Sequence, residues 1–198
     1  MPRRIGLLGG TFDPIHLGHL AMAEWTRDEL DLEQIIFIPN RTPPHKTTAP
    51  ISSPEHRLAM VEGAIAGNPY FAVSTIELAR EGPSYTIDTL RALRQNADFA
   101  GADLFWIIGA DSLASFHEWR EPREIQRLCV LVAYPRSGVR LEKASDEVVS
   151  RAIILDAPLL ELASSSIRLR HEAGHSIRYL VPDAVADYIE RVGLYQKN

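Results

Sequence analysis

Apolar positions along this chain follow two alternating rhythms. Short, nearly continuous apolar runs at Arg4–Gly9, Gln34–Pro39, Tyr70–Ser74, Asp103–Gly109 and Cys129–Tyr134 read as strands covered on both faces of a parallel sheet, with Ala152–Asp156 as a sixth. Between them the period lengthens to that of helices. Ser52 and Glu55 stand at capping-box spacing, with Pro54 in the first turn, and predict a helix over His56–Gly67. Thr86–Asn96 reads as a helix after a loop holding Gly82 and Pro83. Val181, Ala184, Val185, Tyr188, Ile189 and Val192 recur at i, i+3, i+4, i+7, i+8 and i+11, one apolar face of a helix beginning at Pro182. Strand–helix alternation of this kind predicts a single α/β domain over residues 1–198, a doubly wound parallel sheet of five or six strands with helices on both faces. Ligands of such sheets sit beyond the carboxyl ends of the strands, near the point where strand order reverses. The segment after the first strand falls there.

Composition narrows the function classes. The 198 residues are 45% hydrophobic and 24% charged, ordinary for one folded soluble domain. A net charge of −5 gives no sign of a general nucleic-acid or membrane-surface binder. The lysines are Lys46, Lys143 and Lys197, so each is informative. Cys129 is the sole cysteine and sits in an apolar run, which rules out an intrachain disulfide and fits a reducing compartment. The N-terminus lacks a signal peptide's apolar core, and no window approaches the ~18 apolar residues of a membrane span. The expectation is a cytoplasmic protein with no membrane or nucleic-acid partner; a homo-oligomer is left open.

The chemistry concentrates in "GLLGGTFDPIHLGHL", Gly6–Leu20. Gly9 and Gly10, expected just after the first strand, let backbone N–H groups approach a ligand and adopt angles other residues avoid. A helix expected to start near Gly18 or His19 turns its positive end to the same space. His16 and His19 can each donate an N–H to a phosphate oxygen. The features converge on an anion. There is no G-x-x-x-x-G-K-[ST] and no G-x-G-x-x-G, and no third or fourth ligand at zinc-site spacing. Composition alone leaves a structural role for the two histidines open.

"GGTFDPIHLGH", Gly9–His19, resembles the signature of the nucleotidylyltransferase superfamily, whose H-x-G-H is shared with class I aminoacyl-tRNA synthetases. "PPHK" (Pro43–Lys46), "PSYTIDTL" (Pro83–Leu90), "IGADS" (Ile108–Ser112), Trp119-Arg120 and "SSSIR" (Ser164–Arg168) follow in the order of bacterial nicotinate mononucleotide adenylyltransferases, and Gly174–Ile189 is similar to that family's C-terminus. The family's I-S-S-T-x-I-R reads "LASSSIR" here, which leaves Ala163 outside any transfer of roles and the individual serines unassigned. The resemblance implies a Rossmann-like form of the same fold and transfer of AMP from ATP to nicotinate mononucleotide, giving nicotinate adenine dinucleotide and pyrophosphate. The acceptor phosphate is largely ionised at neutral pH, its second pKa being about 6, so in-line attack needs no protein nucleophile, covalent intermediate or general base.

The resemblance places Gly9, Gly10 and Thr11 around the ATP phosphates through their backbone, with His16 and His19 as donors to the triphosphate. It sends Arg168 to the β- or γ-phosphate from the start of a helix beside Ser164 and Ser165, and Lys46 to the leaving pyrophosphate, unless Lys46 is a solvated loop lysine. Asp111 takes a ribose, Trp119 stacks on the pyridine ring unless it is plain core, and Tyr85 and Thr86 meet the ring carboxylate. Mg²⁺ is expected to arrive with ATP and keep several waters, with no protein-held metal site, and Asp13 reads as a turn residue. The nearest rival, phosphopantetheine adenylyltransferase, shares the opening and the serine-rich end but usually carries threonine in place of His16, is shorter and lacks "PSYTIDTL". Two further rivals are a preference for nicotinamide mononucleotide and a non-catalytic nucleotide sensor.

Overall fold

A computed structural model describes residues 2–44, 51–135, 138 and 146–196. Six strands form one fully parallel sheet: β1 (Arg4–Gly10), β2 (Gln34–Pro39), β3 (Phe71–Val73), β4 (Asp103–Gly109), β5 (Val130–Tyr134) and β6 (Ile153–Ile154). Their spatial order is β3-β2-β1-β4-β5-β6, so strand order reverses between β1 and β4. The two central strands pair with Leu8 opposite Ile107, and on the other side Gly10 pairs with Pro39. The ends of β1, β2 and β4 therefore open on one space.

Alternate residues of the strands feed two cores. Leu8, Phe37, Ile107 and Val132 face helices α1 (Leu17–Glu29), α2 (Pro54–Ile65), α7 (Ser164–Glu172) and α8 (Asp183–Val192), meeting Ala23, Met60, Ile167 and Ile189. Leu7, Ile36, Trp106 and Leu131 face α3 (Thr86–Gln95), α4 (Ala110–Ala114), α5 (Pro122–Leu128) and α6 (Asp146–Arg151), meeting Leu90, Leu113, Ile125 and Val148. Both layers are needed because a strand such as Ile35–Ile38 is apolar on each side.

Several boundaries depart from the sequence reading. Gly9 and Gly10 end β1 rather than follow it, and α1 begins at Leu17 with His16 as its N-cap. The cap of α2 is Ser53, whose Oγ accepts from the His56 N–H at 3.5 Å; Ser52 instead turns its backbone toward the loop after β1. That helix closes at Ile65, two residues before Gly67. The edge strands β3 and β6 are shorter than their apolar runs, each having one neighbour to pair with. Among the described residues no helix is long and apolar enough to cross a membrane.

Candidate active site

Glycine enters β1 because of what packs on it. A Cβ on Gly9 would lie 2.9 Å from Trp106 Cζ2 of β4, and one on Gly10 would lie 2.9 Å from Phe12 Cζ. Neither glycine has positive φ, contrary to the expectation of an unusual backbone angle; that angle falls on Phe12, at 52°. The chain then turns through Thr11–Pro14 and enters α1.

This turn is held from behind by three other parts of the chain. Arg57 of α2 is only 1% exposed. Its Nη1 donates to Thr11 O at 2.9 Å and Asn40 Oδ1 at 3.3 Å, its Nε to Ser52 O at 3.0 Å, and its Nη2 to Arg41 O at 3.1 Å. Burial lowers the guanidinium pKa, opposed by the Asp13 charge. Asp13, 2% exposed, accepts at Oδ1 from Tyr195 OH (2.5 Å) and at Oδ2 from Ser52 N–H (3.3 Å). From α7, Arg168 Nη1 donates to Asp13 O at 2.7 Å and Ser164 Oγ donates to Pro14 O at 2.9 Å. Every donor and acceptor of the turn that these groups engage is thereby fixed before any ligand arrives.

The histidines explain the glycine between them. Their rings stack with centroids 3.7 Å apart, and a Cβ on Gly18 would lie 3.1 Å from His16 Nδ1. Glycine lets the His16 ring lie against the first turn of α1. The His16 backbone N–H donates to His19 Nδ1 at 3.2 Å. An accepting Nδ1 places the proton of a neutral His19 on Nε2, leaving that N–H as a donor. The N-terminus of α1 adds its positive end.

Two cavities meet here. One of about 580 Å³ is lined by Gly9, Gly10, Thr11, His16, Gly18, His19, Asn40, Ser164 and Ser165. The other, about 500 Å³, is lined by Tyr85, Ser115, Glu118 and Arg120. They share Pro44, Thr86, Asp111, Ser112 and Trp119 as a common wall. Trp119 is half-buried and packs on Phe116 with centroids 5.3 Å apart. Asp111 is exposed in the first turn of α4, where Gly109, the cap residue, leaves room for its carboxylate. Under the shared wall lies Glu77, 4% exposed and lining the larger cavity, which accepts from Thr89 Oγ1 at 2.6 Å; burial raises its carboxyl pKa.

The structure thus gathers Gly9, Gly10, Thr11, His16, His19, Tyr85, Thr86, Asp111, Trp119, Ser164 and Ser165 around two adjoining spaces. Arg168 lines neither cavity: it comes from the middle of α7 and holds the Asp13 carbonyl. Lys46 lies outside the described residues. Among those residues no group of three or more His, Cys, Asp or Glu side chains is arranged to hold a metal ion. Sequence reading missed Asn40, Arg57, Glu77 and Tyr195. Arg57 had a signal, since it shares the apolar stripe of Met60, Val61 and Ile65 and so had to be buried.

Two adjoining cavities at a strand-order reversal stand where a doubly wound sheet binds its ligands, and the relatives of this chain make it a nucleotidyltransferase. The chain belongs to the cytidylyltransferase-like family, whose model matches residues 7–170. It is 42% identical to a probable nicotinate-nucleotide adenylyltransferase of Thermomicrobium roseum, over 98% of this chain and 92% of that one. A protein of the same description from Geobacillus thermodenitrificans is 45% identical over 97% of this chain and 86% of its own. In fold the chain is similar to the Plasmodium falciparum nicotinic acid mononucleotide adenylyltransferase complexed with NaAD, with a TM-score of 0.79 at 16% identity, covering 98% and 97% of the two chains.

Proposed function

We propose that the protein is a nicotinate-nucleotide adenylyltransferase, joining ATP and nicotinate mononucleotide to form nicotinate adenine dinucleotide and pyrophosphate. The observation that carries this reading is the pair of cavities sharing Thr86, Asp111 and Trp119: the glycines and histidines after β1 line one, and the Tyr85 and Trp119 rings line the other. Its relatives' descriptions name the same reaction.

ATP occupies the larger cavity with Mg²⁺ carried on its phosphates as part of the substrate. The backbone of Gly9–Thr11, the Nε2–H of His19, His16 and the start of α1 donate to the phosphate oxygens. The mononucleotide lies in the smaller cavity, its pyridinium ring on Trp119 and its ring carboxylate near Tyr85 and Thr86. An oxygen of its phosphate attacks the α-phosphorus in line; the new P–O bond forms as the bond to pyrophosphate breaks, and the electron pair leaves with the pyrophosphate. Catalysis is positioning plus stabilisation of the phosphate charge by fixed donors. Arg168 acts on the β- or γ-phosphate after leaving Asp13, or supports the turn from where it stands. Lys46 meets the leaving group.

Pyrophosphate release with ATP and Mg²⁺ tests the reading when nicotinate mononucleotide, nicotinamide mononucleotide and phosphopantetheine are offered separately. Turnover preferring the first is expected. Preference for another acceptor would overturn the assignment of the smaller cavity, and ATP binding with silence in all three would make the protein a sensor.

A further inference from the structure

The smaller cavity has an unbalanced charge. Of its described lining residues, Asp111 and Glu118 are anionic and Arg120 is the one cation. Without Arg120, the charged side chains that a carboxylate would meet among these lining residues would all be of its own sign. Arg120 is also held in place without being consumed. Its guanidinium carbon lies 5.0 Å from the Tyr85 ring centroid, a stacking distance that aligns the fork beside the N-terminal end of α3. Its ionic neighbours are loose: Nη1 is 3.5 Å from Asp88 Oδ2, and Nε is 4.0 Å from Glu121 Oε1. The Glu121 carboxylate is engaged instead by Arg91, at 2.6 and 3.1 Å. With the Arg120 side chain 52% exposed, such contacts hold it weakly, and turning toward an anion in the cavity costs little.

We propose that Arg120 is a specificity-determining residue, neutralising the ring carboxylate of nicotinate mononucleotide and so setting its preference over the carboxamide. The inference rests on the reading above, in which the pyridine ring occupies this cavity. A carboxamide has the same shape and hydrogen-bonding groups on one side but no charge to meet the guanidinium. Trp119 and the backbone at Tyr85 and Thr86 treat the two rings more evenly, so a charged contact separates them.

The test is kcat/KM for nicotinate and nicotinamide mononucleotides at saturating ATP and Mg²⁺, in wild type, Arg120→Gln and Arg120→Lys. Gln keeps length and hydrogen bonding without charge, and Lys keeps charge without the planar fork. The nicotinate-to-nicotinamide ratio is expected to fall about 10- to 100-fold in Arg120→Gln, through KM for the nicotinate substrate. Arg120→Lys should retain most of the ratio, and raising salt should lower the wild-type ratio more than that of the Gln variant. Equal losses on both mononucleotides would overturn the inference, since they would mark a packing role on Tyr85; so would a ratio within twofold of wild type. Failure of the underlying reading looks different: the wild type itself would then not prefer nicotinate mononucleotide.

Discussion

His19 performs two separable tasks, and substitution can take them apart. Its Nδ1 accepts the His16 N–H at 3.2 Å, closing the start of α1, while in the proposed reaction its Nε2–H donates to a phosphate oxygen in the larger cavity. His19→Ala removes both. Losing one preorganised donor costs about 10²–10³ in kcat, or about 2.7–4 kcal/mol of transition-state stabilisation. Losing the His19 half of the capping box costs about 1 kcal/mol of folding stability, worth about 2–4 °C in Tm for a domain of this size. That is small against the ~5–15 kcal/mol of a folded domain, so unfolding cannot produce the rate loss. His19→Asn puts an acceptor where Nδ1 stood and nothing where Nε2 stood; His19→Gln does the reverse. Steady-state pyrophosphate release and thermal unfolding should therefore diverge. Asn recovers Tm and leaves kcat low, and Gln recovers part of kcat with Tm still reduced. A kcat within twofold of wild type in His19→Ala would refute the donor assignment. So would rate losses that simply track Tm across the three variants.

Gly18→Ala pushes a Cβ to 3.1 Å from His16 Nδ1, so the ring must shift by a few tenths of an ångström. A drop in kcat of about tenfold is expected, below the ~10²-fold cost of a 1 Å misplacement, with Tm unchanged or raised because alanine favours helix; unaltered kcat would show that the ring's seat is irrelevant. Trp119→Ala should raise KM for the mononucleotide by about tenfold or more and KM for ATP by less than about twofold, one stacked aromatic contact being worth ~1–2 kcal/mol; equal rises would contradict the stacking role. The Cys129 thiol donates to Ile125 O at 3.4 Å, and burial pushes its pKa up to about 12. Iodoacetamide should therefore label it only in denaturant, and rapid labelling of the native protein would count against that burial. Burial also raises Glu77 above its unfolded value, so its contribution to stability is present below the ordinary carboxylate range and is lost as pH rises through the raised folded value. Tm of Glu77→Gln should fall less than that of wild type over this rise, and parallel curves would contradict it.

The strands were legible because a parallel sheet covered on both faces leaves them no room for polar residues: Leu7, Leu8, Ile35–Ile38 and Leu104–Ile107 are all buried. Their ends were less so at the edges, where β3 and β6 each pair on one side only and the apolar run overshoots the strand. The start of α1 was misplaced because histidine is an uncommon cap, and only the folded backbone brings its N–H to a ring nitrogen three residues on. Of the candidate site residues, His16 and His19 stand out in the local pattern itself, and Thr86 and Trp119 through the family-like motifs Pro83–Leu90 and Trp119-Arg120. The supports do not. Arg57 reaches Thr11 across 46 residues, Arg168 reaches Asp13 across 155 and Tyr195 reaches Asp13 across 182, and no local spacing records such contacts.

Those long-range supports follow from the kind of reaction proposed. Where a substrate oxygen is already a competent nucleophile, the protein gains rate only by holding two anions in line and by meeting the charge that develops. The two phosphates must then approach at the wall common to both cavities, beside Asp111. A carboxylate there suits a ribose hydroxyl and repels phosphate, so the proposed reaction needs donors from elsewhere in the lining of the larger cavity, a part it gives to His16, His19 and the first turn of α1. Donors on a turn would recoil from that load unless anchored. Arg57 from α2, Ser164 from α7 and Tyr195 beyond α8 hold Thr11, Pro14 and Asp13, which meets that need. The grip also explains a buried arginine that a core would otherwise exclude: its cost is offset by the three carbonyl oxygens and one amide oxygen to which it donates.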